Sequence, residues 1–127
     1  MKLSDTPAWQ ALTRHAETQR HWTLRDLFAT NNERFERFSI RHDGLLLDYS
    51  KQRVKAETMA LLHQLAAATD VAGWRDRMAA GEAINHTENR AVLHMALRAA
   101  ATDTLPTAGA SVMPGVHAVL QRLAAFC

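Results

Sequence analysis

Arg90, His94 and Arg98 are the residues whose type and spacing come closest to chemistry. They stand at i, i+4 and i+8, which places them along one line of an α-helix. The other residues from Ala91 to Ala101 are apolar, so this helix carries one narrow cationic stripe and is buried elsewhere. The stripe either faces water and caps neighbouring carbonyls, or meets an interface or the rim of an anion site. Arginine suits the second role because its guanidinium binds carboxylate or phosphate through two parallel hydrogen bonds.

Other reactive residues form no constellation. Seven histidines, at 15, 21, 42, 63, 86, 94 and 117, include no His-Glu-x-x-His pair, so no metal is expected. Asn85-His86-Thr87 matches a glycosylation sequon, but the residue types read better as a loop and a cap. Cys127 lacks the neighbours that make a thiolate reactive. The five glycines are isolated and build no phosphate loop. Trp9, Trp22 and Trp74 are scattered and read as core or rim packing, not as a platform for bases. No catalytic, substrate-binding or metal-binding residue is singled out, and no cofactor is expected.

The elements that would position the stripe are mainly helical. Thr6-Pro7 caps and opens a first helix carrying Trp9, Leu12 and Ala16. Thr23, with Asp26 three residues on, opens a second whose buried side is Leu24, Leu27 and Phe28. Asn31-Asn32 breaks the pattern before a turn or two around Phe35 and Phe38. Residues 38–41 and 45–49 flank Asp43-Gly44, which supplies the positive φ angles of a tight hairpin. Met59, Leu61, Leu62, Leu65 and Ala66 stripe the next helix. Asp70 caps another, with Val71, Trp74, Arg77 and Met78 on one side and Gly81 as its stop. The most hydrophobic helix is expected from Thr87-Glu88 to about Ala101. A loop over 102–111 holds Pro106 and Gly109. Met113-Pro114 then opens a last helix with Val116, Val119, Leu120, Leu123 and Phe126 on its apolar face. The sequence therefore reads as one mainly α unit over 1–127 with a small antiparallel β-hairpin.

Composition sets the outer bounds. At 127 residues the chain has one domain's worth of sequence, and at 47% hydrophobic residues it has enough apolar surface to order itself. No run approaches the roughly 20 apolar residues that span a bilayer. Residues 1–6 lack the hydrophobic core of a signal peptide, and a lone cysteine forms no internal disulfide, so a cytoplasmic setting is expected. A net charge of +2 falls well short of a nucleic-acid footprint. No nucleic acid and no membrane are expected as partners.

Ile84, Asn85, Thr87, Glu88, Arg90, Ala91, Val92, Leu93, His94, Ala96, Leu97 and Arg98 resemble a motif of the glucose-6-phosphate isomerase family, also called phosphoglucose isomerase. Asp26-Leu27-Phe28, Arg34-Phe35, Phe38-Ser39, Asp48-Tyr49-Ser50-Lys51, Gly81-Glu82, Val112-Met113-Pro114 and Val116 agree in the same order. The resemblance covers residues 8–127 and departs from the family's usual sequence over 99–111.

The resemblance implies the N-terminal part of an α/β enzyme of the sugar-isomerase (SIS) type. The full-length parent would be a cytoplasmic homodimer that interconverts glucose 6-phosphate and fructose 6-phosphate through an enediol, without metal or organic cofactor. Family members are several times longer, and their catalytic glutamate, ring-opening histidine and lysine, and sugar-phosphate loop lie downstream of the matched stretch. This chain would then be an inactive scaffold segment, with Arg90, His94 and Arg98 near an interface or the active-site rim. The rival reading is a free-standing helical module for an anionic partner. So small a unit cannot hide all of its apolar stripes, so an exposed patch or self-association is expected.

Overall fold

In the computed structural model the chain folds as two compact units, residues 1–69 and 70–127. The structure describes residues 2–100, 102, 103, 105 and 111–127. Most of the loop expected over 102–111, with its Pro106 and Gly109, lies outside the described residues, as does Ala101.

The first unit begins with a 3-10 turn, Leu3–Asp5, and helix α1, Pro7–Thr18. The Thr6 hydroxyl accepts the Trp9 amide hydrogen and proline occupies the first turn, so the expected cap forms. Helix α2 is Leu24–Ala29, capped by Thr23, whose Oγ1 accepts from the Asp26 amide. Only Leu27 of its expected buried side is fully covered, while Leu24 and Phe28 stay exposed. With six residues the helix turns one narrow face inward. A single helical turn, α3, follows at Arg34–Arg37.

Strands β1, Ser39–His42, and β2, Leu45–Asp48, pair antiparallel with Ser39 opposite Asp48 and His42 opposite Leu45. That register leaves Asp43 and Gly44 as a two-residue turn with φ of 45° and 79°, as Asp-Gly requires. The Tyr49 amide donates to the Phe38 carbonyl and extends the pairing past Asp48. Helix α4, Ala56–Ala68, packs along α1.

The second unit opens with α5, Val71–Ala79. Asp70 takes a left-handed φ of 54° and its carboxylate accepts the Gly73 amide. Gly81 stops the helix as expected. At φ 74° it donates to the Met78 carbonyl while Glu82 donates to Arg77, the paired bonds of a Schellman ending. Helix α6 is Met113–Phe126. Its apolar face is open to water in this chain, with Phe126 90% exposed and Val119, Leu120 and Leu123 also exposed.

The helix expected from residue 87 to about 101 does not form. Residues 85–90 fold into a loop closed by mutual backbone hydrogen bonds between Asn85 and Arg90. The Asn85 side-chain oxygen accepts from the Thr87 amide, the Thr87 hydroxyl and the Glu88 amide, and Asn89 turns to φ 51°. An asparagine that satisfies backbone donors in this way competes directly with helix formation. Helical pairing returns only as a short 3-10 segment, His94–Arg98. No described helix is long and apolar enough to cross a membrane.

Candidate functional site

The most heavily constrained side chain is Arg34, 1% exposed at the start of α3. Its Nε donates to the Ser50 carbonyl at 2.7 Å and its Nη2 to the Gln52 carbonyl at 2.6 Å. The guanidinium also stacks over Phe38, 4.7 Å from the ring centre, and Phe28, at 5.6 Å. Among the described residues no carboxylate lies within 4.0 Å of it. Burial consequently pushes its pKa down from the ordinary arginine value.

The chain that Arg34 holds is itself tied by Asp48. The Asp48 carboxylate accepts from the Ser50 amide at 2.9 Å, the Ser50 hydroxyl at 2.6 Å and Lys51 Nζ at 2.6 Å. The Lys51 bond chiefly, then the two Ser50 bonds, hold its pKa down to about 2. An aspartate that bonds the amide two residues on fixes a turn locally. Asp48, Ser50 and Lys51 thus pin the strand end, and Arg34 fastens it to α3.

Beside this node lies an open groove of about 1100 Å³ within the first unit. Leu27, Ile40, Leu47, Val54, Met59 and Leu62 give it apolar walls. Arg34, Arg37 and Lys55 also line it, and among the described residues no aspartate or glutamate does.

A second buried cluster joins α1 to α4. Thr58 Oγ1 accepts from the Lys55 amide and from Gln19 Nε2, both at 3.1 Å, which uses its two lone pairs. Its own hydrogen therefore goes to His15 Nε2, 2.8 Å away, and the neutral ring carries its proton on Nδ1. Nδ1 faces Glu57 at 3.7 Å. The order hydroxyl, imidazole, carboxylate has the outline of a nucleophilic triad. The chemistry is blocked because all three residues of the hydroxyl cluster, His15, Gln19 and Thr58, are buried and none lines the groove. Trp22 closes the cluster, edge-on to His15 and with Lys55 Nζ 3.7 Å above its ring.

The predicted cationic stripe is not assembled as a helical line. Arg90 closes the 85–90 loop and lies 3.6 Å from Glu88, whereas His94 and Arg98 belong to the 3-10 segment. All three are exposed. Sequence reasoning missed the roles of Arg34 and Thr58. Arg34 stood among the residues of the family resemblance, but its type and spacing alone announce no function. The joining of Thr58 to His15 and Gln19 has no sequence signal, because those bonds arrive from positions 43 and 39 residues away.

The bonded clusters around Arg34, Asp48 and Thr58 tie segments of the first unit to one another. A family model described as phosphoglucose isomerase matches residues 48–127, and the chain belongs to the phosphoglucose isomerase family. It is 59% identical to a glucose-6-phosphate isomerase of Dechloromonas aromatica (strain RCB), over 100% of this chain and 22% of the relative. It is 52% identical to glucose-6-phosphate isomerase 1 of Streptomyces coelicolor, over 98% of this chain and 23% of that protein. For glucose-6-phosphate isomerase 2 of Chromobacterium violaceum the identity is 48%, over 98% and 22%. The chain spans about a fifth of the length of these relatives. The comparisons lend no support to a free-standing module for an anionic partner.

Proposed function

We propose that this chain acts as the N-terminal scaffold of a glucose-6-phosphate isomerase that interconverts glucose 6-phosphate and fructose 6-phosphate through an enediol. The observation that carries the reading is identity sustained across all 127 residues with an isomerase of that name. It is supported by the way the family-like residues converge. Arg34, Phe38, Asp48, Ser50 and Lys51 form one bonded node that holds chain in place. In this reading the general base, the ring-opening groups and the phosphate loop belong to the downstream polypeptide, which has the α/β sugar-isomerase architecture. The complete enzyme is a cytoplasmic homodimer. Arg90, His94 and Arg98, exposed on the second unit, stand at a subunit interface or the active-site rim.

The test is a chimera in which these 127 residues replace the aligned segment of the Dechloromonas aromatica relative. A coupled assay is expected to show fructose 6-phosphate converted at a rate within about tenfold of the parent, and no turnover by the 127-residue chain alone. Turnover by the short chain, or an inert but folded chimera, overturns the reading.

A further inference from the structure

We propose that the groove of the first unit seats an amphipathic, carboxylate-bearing segment from the downstream part of the family's polypeptide. The proposal rests on the reading of this chain as part of a longer isomerase. The groove's walls are its first support. Ile40 and Leu47, cross-strand partners in the hairpin, are 54% and 61% exposed, and Leu62 of α4 is exposed beside them. A two-stranded hairpin is marginal by itself, so a cover on this face stabilises β1 and β2 directly.

Charge narrows the occupant. Arg34, Arg37 and Lys55 line the groove without an acid among the described lining residues. Arg37 meets Glu33 at 3.4 Å, but both side chains are well exposed, so that pair is weak. Arg34 carries its charge in a low-dielectric wall, where among the described residues it meets two carbonyls and two ring faces and no carboxylate. A concave, apolar surface with an unbalanced positive field favours an anionic group on an otherwise apolar element. A purely aliphatic cover would leave the cations unanswered, and a purely acidic one would leave Ile40 and Leu47 wet.

The relatives' length supplies the source, since this chain spans only 22% of the Dechloromonas aromatica protein. A second copy fits worse. Its most exposed apolar helix, α6, carries Arg122 and His117 and contains no aspartate or glutamate. It would bring positive charge to a positive groove.

The experiment uses the same chimera with Cys127→Ser. Leu47→Cys places a thiol in the groove, and Leu45→Cys places one at the hairpin tip outside its lining. Maleimide labelling is followed peptide by peptide by mass spectrometry. Leu47→Cys is expected to react on the order of tenfold more slowly than Leu45→Cys. Adding Arg37→Glu is expected to remove most of that protection, and Arg37→Lys to preserve it. Equal labelling of the two thiols in an active chimera overturns the groove proposal and leaves the isomerase reading standing. Protection that depends on protein concentration places a second copy there and overturns it too. Protection unaffected by Arg37→Glu overturns the acidic character of the occupant. An inactive chimera with a protected Leu47→Cys overturns the isomerase reading alone.

Discussion

The hydroxyl of Thr58 and the imidazole Nε2 of His15 lie 2.8 Å apart although 43 positions separate them. The bond does more than join α1 to α4. Because the Lys55 amide and Gln19 Nε2 both donate to the same oxygen, Thr58 gathers a part-buried backbone N–H, a buried side-chain amide and the His15 ring on one hydroxyl. Thr58 also sits in the first turn of α4, where its acceptance from the Lys55 amide satisfies an otherwise orphaned group at the helix start.

Thr58→Val keeps the shape and removes all three bonds. Leaving the buried Gln19 amide, the part-buried Lys55 N–H and an imidazole nitrogen unpaired costs about 2–3 kcal/mol, since each orphan carries its own desolvation penalty. Thr58→Ser keeps the hydroxyl and is expected to cost about 1 kcal/mol, the loss of one methyl. Urea unfolding of the two variants checks this, and equal losses would show that the hydroxyl is not the hub.

Arg34 makes a matching prediction for the other end of the first unit. Arg34→Lys preserves the charge but cannot reach the Ser50 and Gln52 carbonyls with the same planar fork, nor stack in the same way on Phe38. A loss of about 2–4 kcal/mol is expected, nearly as large as for Arg34→Met, because the Ser50 carbonyl loses its guanidinium donor and the Gln52 carbonyl keeps only the Val54 amide. A lysine variant as stable as the parent would mean that charge alone holds the turn.

The Asp48 turn predicts an acid limb. Its carboxylate titrates near 2 in the folded chain and near 3.8 when unperturbed. Its stabilising bonds are therefore fully present above about pH 4 and are lost as pH falls towards 2. Asp48→Asn is expected to be less stable than the parent at neutral pH and to approach it in the acid range. Thermal melts at pH 6, 4 and 2.5 measure this, and a constant gap between the two chains would exclude Asp48 as a source of the acid sensitivity.

Legibility followed the range of the interactions. Thr6, Thr23, Asp70, the Asp43-Gly44 turn and Gly81 were readable because each acts within four residues. The helix expected from Thr87-Glu88 to about Ala101 does not form although its apolar spacing suits one, because three donors converge on Asn85 and Asn89 accepts a left-handed φ. Periodicity reports which residues could share a helical face and is blind to a side chain that captures the backbone first. With that helix gone, the alignment of Arg90, His94 and Arg98 went as well. Arg34 and Thr58 were unreadable for a different reason: the partners that bury them, Ser50 and Gln52 for one and His15 and Gln19 for the other, are distant in sequence, and a buried polar hub looks like any other arginine or threonine until the chain closes around it.

Gly73 in α5 offers a test in which local propensity and local structure disagree. Glycine inside a helix is expected to be worth about 0.5–1 kcal/mol less than alanine. On propensity alone, Gly73→Ala should therefore raise the melting temperature. An added Cβ at Gly73, however, collides with both carboxylate oxygens of Asp70. That carboxylate caps the helix through the Gly73 amide and meets Arg77 Nη2 at 3.0 Å. Moving it forfeits a cap worth about 1 kcal/mol and loosens an exposed ion pair worth about 0.2–1 kcal/mol. Asp70 also holds a left-handed φ of 54°, a conformation that it keeps only while its side chain is engaged locally. The losses match or exceed the gain, so Gly73→Ala is expected to leave stability unchanged or lower it by about 1 kcal/mol. In an Asp70→Gly background no γ atom stands against the new Cβ and the left-handed φ is tolerated, and there Gly73→Ala is expected to stabilise. A double-mutant cycle by thermal melts compares the two backgrounds. Equal gains in both would show that the collision with Asp70 carries no energetic weight.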